Sequence, residues 1–176
     1  MRARVRVAGH AVHPMLVVFP LGLLATSVAW DICRLAAGTR MWGVVAFWTI
    51  AAGIIGALLA AVPGFIDWLS IPNATRAKTV GLYHMILNLI VVALFVVSLF
   101  ARLAAPGGYG AAGAGRMIWG WLGVAIALAS AWLGGELVER LGISVEADAN
   151  PNAPSSLGRG RRPASPSARV PARGET

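Results

Sequence analysis

Residues 41–65 read MWGVVAFWTIAAGIIGALLAAVPGF and carry no charged side chain from end to end. About 20 mostly apolar residues wound as a helix cross the hydrocarbon core of a bilayer, which is roughly 30 Å thick. The stretch is too long for an ordinary strand, and it lacks the period-two alternation of a barrel strand. It is expected to span a membrane as a helix. Three more stretches meet the same test: residues 15–37, 80–101 and 117–138. The fold class that follows is all-α, an integral membrane four-helix bundle.

Composition agrees. Hydrophobic residues make up 57% of the 176 and charged residues only 12%, about half the charged share of a soluble domain. So few charges cannot cover a surface in water, and lipid removes the difficulty. The formal charge of +8 does not point to nucleic acid, because half of it comes from the five arginines and one glutamate that follow residue 157. The single cysteine, Cys33, excludes an internal disulfide framework and reads as a small buried apolar residue. Arg2, Arg4 and Arg6 ahead of an apolar run resemble a secretory signal. That run is too long for a signal core, however, and Asp31 and Arg34 stand where a small-residue cleavage site is needed, so the segment is expected to be retained.

The connections divide the chain. Gly38-Thr39-Arg40 is barely a turn, so the first two helices form a tight antiparallel hairpin. Residues 67–79 hold Pro72, Asn73, Arg76 and Lys78 and belong outside the lipid; residues 102–116 form a Gly/Ala loop around Pro106-Gly107-Gly108. After Ile143 the composition turns to Pro, Ser, Asn and Arg, which cannot bury enough apolar area to offset chain entropy. The expected organisation is an N-terminal segment 1–13, a membrane domain 14–143 and a disordered basic tail 144–176.

Four spans put the N-terminal segment, the middle loop and the tail on one side. That side holds Arg2, Arg4, Arg6, Arg76, Lys78, Arg140 and the five tail arginines, against Arg34, Arg40, Arg102 and Arg116 on the other. Positive loops stay inside, so both termini are expected in the cytoplasm. Trp42, Trp119 and Trp121 then mark the outer interface, and Trp68 and Tyr83 the inner one. Small residues four apart, Ala52-Gly56-Ala60-Gly64 and Gly123-Ala127-Ala131-Gly135, are expected to be close helix contacts. Pro20 and Pro63 are expected to kink or end their helices.

Chemistry concentrates at the inner side. His10 and His13 precede the first helix, with Pro14 suited to its first position. Asp67 closes the second helix, and Glu136 ends the fourth. His84 lies a turn inside the third helix, with Asn88 a further turn along the same face. Ionisable groups inside a span are costly and face the bundle interior or a watery cavity. Each also has a plainer role. Asp67 and Glu136 would pair with Arg76, Lys78 or Arg140; Asp31 would pair with Arg34 or cap backbone groups; His84 would hydrogen-bond Asp67.

Three strings carry a family resemblance: Gly9-His10-Ala11-Val12-His13-Pro14-Met15-Leu16-Val17-Val18-Phe19-Pro20-Leu21-Gly22; Phe65-Ile66-Asp67-Trp68 with Thr75-Arg76, Gly81-Leu82-Tyr83-His84 and Asn88; and Gly134-Gly135-Glu136-Leu137-Val138 with Gly142-Ile143-Ser144-Val145. Over roughly residues 9–146 the chain resembles the bacterial membrane proteins grouped as domain of unknown function 2231. The resemblance implies a bacterial inner (plasma) membrane protein of uncharacterised activity. It also implies a link to electron transfer, since some relatives are joined to Rieske-type iron–sulfur domains.

Three functions stay open. A haem b could be held by His13 and His84, with Asp67 fixing a histidine tautomer and Asn88 close by. A divalent metal could be held by His10, His13, Asp67, His84 and Glu136. The cluster could instead only fix packing or bind a partner. No nucleotide loop and no serine or cysteine nucleophile beside a histidine is present, so no catalytic residue is expected. The sequence leaves the oligomeric state open.

Overall fold

The computed structural model describes residues 1–157. Four helices are long and apolar enough to cross a membrane: α1 (Val12–Ala37), α2 (Arg40–Leu69), α3 (Arg76–Leu103) and α4 (Ala114–Gly135), the last continued by a π-helical turn over Glu136–Arg140. Each outlasts its apolar stretch at one or both ends, because polar helical turns can continue where the bilayer stops. Pro14 is therefore the third residue of α1 rather than the first, a position where its missing N–H still costs no helical hydrogen bond. Pro20 and Pro63 both lie inside continuous helices.

The outward faces confirm the solvent. Phe19, Ile55, Leu59, Val62, Phe100, Leu128 and Trp132 are each more than 60% exposed, an apolar belt that water would not tolerate and lipid requires. Inside, Leu24, Ile50, Ile54, Val91 and Phe95 form the core. The most extensive packing joins α1 to α2 and α3 to α4. The chain is thus two helical hairpins side by side. Gly38 closes the first: at φ +68 it takes the left-handed cap position and returns its N–H to the Arg34 carbonyl.

The two hairpins repeat one another. On α1 the buried residues are Pro20, Leu24, Ser27 and Asp31, and on α3 they include Val91, Phe95, Ser98 and Arg102. Each of the second set stands 71 positions after its counterpart in the first, as Arg102 does after Asp31. The facing helices repeat as well. Gly53 of α2 lies against Leu24, where an added Cβ would come within 2.6 Å of Cδ2. Gly123 of α4 lies against Phe95, the equivalent of Leu24, with 2.9 Å to Cε2. Since α1 and α3 run the same way, the halves form a parallel repeat about an axis along the membrane normal.

The small-residue contact faces differ from the expected four-residue stripes. Of the expected residues, Ala60 and Gly123 are buried and Ala127 packs against the core, but Ala52 and Ala131 are exposed and Gly135 has nothing within 4 Å, while Gly53, Gly120 and Ser130 outside the stripes are buried. With 3.6 residues per turn a strict four-residue spacing slips about 40° per step, so each stripe leaves the interface at one end, at Ala52 and at Ala131 and Gly135. Gly56 and Gly64 do contact α1, at Pro20 and His13.

At the N-terminal end of the bundle, Arg6–Val7 and His10–Ala11 form a two-residue antiparallel ladder. Ala8 (φ +49) and Gly9 (φ +85) make its turn, both left-handed as a type I′ hairpin needs. Residues 144–157 contain neither helix nor strand. They lie on this segment: Ser144 N–H donates to Met1 O at 2.8 Å, and Glu146 ion-pairs with Arg2 and Arg6. The rest of the basic tail expected to be disordered, residues 158–176, lies outside the described residues.

Candidate functional site

His13 is the second residue of α1, held at the N-terminal end of the bundle. Its Nδ1 lies 2.8 Å from the carbonyl oxygen of Ala60 on α2. Its ring rests on Gly64, where a Cβ would fall 2.7 Å from Nδ1. His84 repeats the arrangement between α3 and α4. Its Nδ1 is 2.8 Å from the Ser130 carbonyl oxygen, and its ring edge rests on Gly134, with 3.2 Å from a built Cβ to Cε1. His84 follows His13 by the repeat interval of 71 positions found for Asp31 and Arg102. Ser130 and Gly134 fall one position short of that interval after Ala60 and Gly64.

A carbonyl oxygen only accepts, so Nδ1 is the protonated nitrogen in both rings and Nε2 is the basic one. In His84 that Nε2 accepts from the Asn88 Nδ2 amide at 3.1 Å, and the same amide donates to the His84 carbonyl at 2.9 Å. Ser130 Oγ adds a contact of 3.1 Å to Nδ1.

The other expected site residues are elsewhere engaged. Asp67 does not touch a histidine: its Oδ1 accepts from the backbone N–H groups of Arg4 (2.6 Å) and Val5 (3.1 Å), clamping the N-terminal segment to α2. Its Oδ2 is buried without a hydrogen-bond partner. Glu136 pairs with Arg76 at 2.6 Å near the surface. Lys78 places its ammonium 3.9 Å from the centre of the Trp68 ring and donates to the Trp68 carbonyl at 2.8 Å. His10 is exposed, with Nδ1 at 3.2 Å from the Ala8 carbonyl. Among the described residues no three His, Cys, Asp or Glu side chains gather as a metal-holding group. The structure thus brings His84 and Asn88 together and sets His13 in the equivalent place of the other hairpin, at the same end of the bundle, while His10, Asp67 and Glu136 stand apart.

The structure also holds a buried group that the sequence did not reveal. Asp31 does not pair with Arg34. Arg102 donates Nη1 to Oδ1 at 2.8 Å and Nη2 to Oδ2 at 2.6 Å, and its Nε to Ser98 Oγ at 3.3 Å. Both charged residues are fully buried. Arg102 therefore belongs to the last turn of α3 and not to an external loop. Arg34 instead donates Nε to the Gly110 carbonyl at 3.2 Å, and Arg40 reaches the Gly107 carbonyl. One available signal was the repeated Ser-x-x-x-charge spacing, Ser27 to Asp31 and Ser98 to Arg102, on the two core faces.

A family profile described as "Predicted membrane protein (DUF2231)" matches residues 9–147, a range that takes in all four helices, all three histidines and the buried ion pair. The chain belongs to the DUF2231 family. No curated protein and no solved structure matches it. The DUF2231 match begins at Gly9 of the I′ turn and closes just beyond Glu146, so it includes both anchors of the N-terminal segment.

Proposed function

We propose that this DUF2231 protein is a membrane subunit that holds a haem b between His13 and His84 and serves electron transfer. The observation that carries this reading is the matched pair of histidines on α1 and α3, each with its Nδ1–H held by a carbonyl of the neighbouring helix. Such a bond leaves Nε2 as the ligating nitrogen and fixes the ring, as the outer partners of metal-bound histidines do. Two protein nitrogens suit haem iron, whose other four ligands come from the macrocycle. A zinc-like ion needs at least three protein donors, and among the described residues no three His, Cys, Asp or Glu side chains gather as one group. Haem is therefore preferred to a divalent metal. In this reading His84 Nε2, which now accepts from Asn88 Nδ2, would be the nitrogen offered to the haem, and Asn88 would have to release it.

The proposed setting is the bacterial inner membrane with both termini in the cytoplasm. Burial of Arg102 supports the orientation, because it removes one cation from the side opposite the termini. Arg34, Arg40 and Arg116 then face the six of Arg2, Arg4, Arg6, Arg76, Lys78 and Arg140 even without the tail. A Rieske-type or other redox protein is the proposed partner.

The test is optical and elemental. Protein expressed with haem supplied and purified in detergent should show a Soret band and sharpened visible bands on reduction, at one haem per chain. Protein with neither haem nor stoichiometric metal under those conditions would leave the two histidines as fasteners between helices.

A further inference from the structure

We infer that Asp31 and Arg102 form the pairing code by which each hairpin recognises the other across the bundle, and that this code is reversible. The pair joins α1 of one hairpin to α3 of the other, and the two residues occupy equivalent places in the repeat. Around them the two faces correspond: Leu24 with Phe95, Ser27 with Ser98, and Gly53 with Gly123.

Equivalence has a consequence for partner choice. A hairpin meeting a second copy of itself through this face would bring two aspartates or two arginines together in a fully buried site, where like charges cannot be hydrated. Only a hairpin carrying the opposite charge at this register satisfies both groups. The partner that each face fits is the other half of the chain, not the like half of a second copy. Buried ion pairs contribute little net stability when compared with apolar replacements, and fixing register or partner is their best-attested use.

Reversibility follows from the serines. Arg102 donates Nε to Ser98 Oγ, one turn back on its own helix. Ser27 stands one turn back from Asp31 in the same way, and its Oγ, now donating to Leu24 O at 2.7 Å, can still accept. An arginine at position 31 would find there what Arg102 finds at Ser98. One difference limits the exchange. Gly120 lies beside Ser98, with 3.5 Å from a built Cβ to Oγ, and the residue equivalent to Gly120 in the first hairpin is the larger Ile50.

The experiment compares full-length Asp31→Arg, Arg102→Asp and the double exchange by thermal melting in detergent. Each single variant should lose about 10 °C or more from the midpoint, since each buries like charges. The double exchange should regain at least half of that loss. A double exchange no better than the worse single variant would overturn the proposal. Where the single variants do not accumulate in the membrane, accumulation of the double exchange decides in favour and its failure decides against. Ser27→Ala supplies an independent readout: it should lower the midpoint of the exchanged chain and leave the wild type unchanged. An equal effect on both would refute the equivalence.

Discussion

The Nδ1 of His84 and the carbonyl oxygen of Ser130 lie 2.8 Å apart, the same separation and kind of partner that join His13 to Ala60. Each hairpin thus closes its N-terminal end with one histidine hydrogen bond, and each ring occupies space left by a glycine. The bond does two things at once. It ties neighbouring helices where lipid supplies no hydrophobic drive, and it leaves the ring's other nitrogen as a base.

Replacing either histidine tests both roles. His13→Ala and His84→Ala should each remove about 1 kcal/mol of bundle stability, the usual worth of a hydrogen bond between membrane helices, while insertion is retained. Under the haem proposal each should also abolish the Soret band. Asn88→Ala, which frees Nε2 of His84, should leave haem uptake intact or raise it. Haem bound normally by both histidine variants would exclude them as ligands.

Gly123 is a contact that cannot take a side chain. A Cβ there would sit 2.9 Å from Phe95 Cε2, in a fully buried core, so Gly123→Leu should cost at least the 1–3 kcal/mol typical of overpacking. Gly135→Ala meets nothing within 4 Å and serves as the control. Equal melting midpoints for the two variants would dissolve the contact.

Asp67 clamps the N-terminal segment through two backbone N–H groups. Asp67→Ala leaves those donors without their charged acceptor, at about 1.5–3 kcal/mol for such bonds. The segment should then be cut faster by trypsin after Arg4 and Arg6, while the helices remain protected. Unchanged cleavage would show that Glu146 and the β-turn hold the segment alone.

Orientation is checked at Gly113, which is exposed and has open space around it. In a chain with Cys33 replaced by Ala, Gly113→Cys should react with an impermeant thiol reagent applied to intact cells. A cysteine at Ser155, on the side of the N-terminal segment, should react only after lysis. The opposite pattern would invert the proposed topology.

Much of the membrane fold was legible because crossing a bilayer is a property of each segment taken alone. Some 20 apolar residues satisfy it wherever their neighbours lie, and residues 41–65 do so without a single charge. The histidines were legible as candidates for a related reason, since a polar group within a span is conspicuous by its cost. Their partners were not. Asp67 looked close to His84 in depth, yet it points to Arg4 and Val5, and the tautomer-fixing groups are carbonyls, which every residue has and no sequence advertises.

What the sequence by itself determined is the number of spans, their antiparallel order and the end of the bundle at which His13, His84 and Asp31 sit, whereas Arg102 read as part of an external loop. Only the tertiary structure decided which faces meet. Rotation about a helix axis changes by about 100° per residue, so one position separates Gly53 in the interface from Ala52 outside it, and Ser130 bonded to His84 from Ala131 exposed. That phase is set jointly by all four helices. It turned Asp31 away from Arg34, three residues along its own helix, and onto Arg102, which lies 71 positions away.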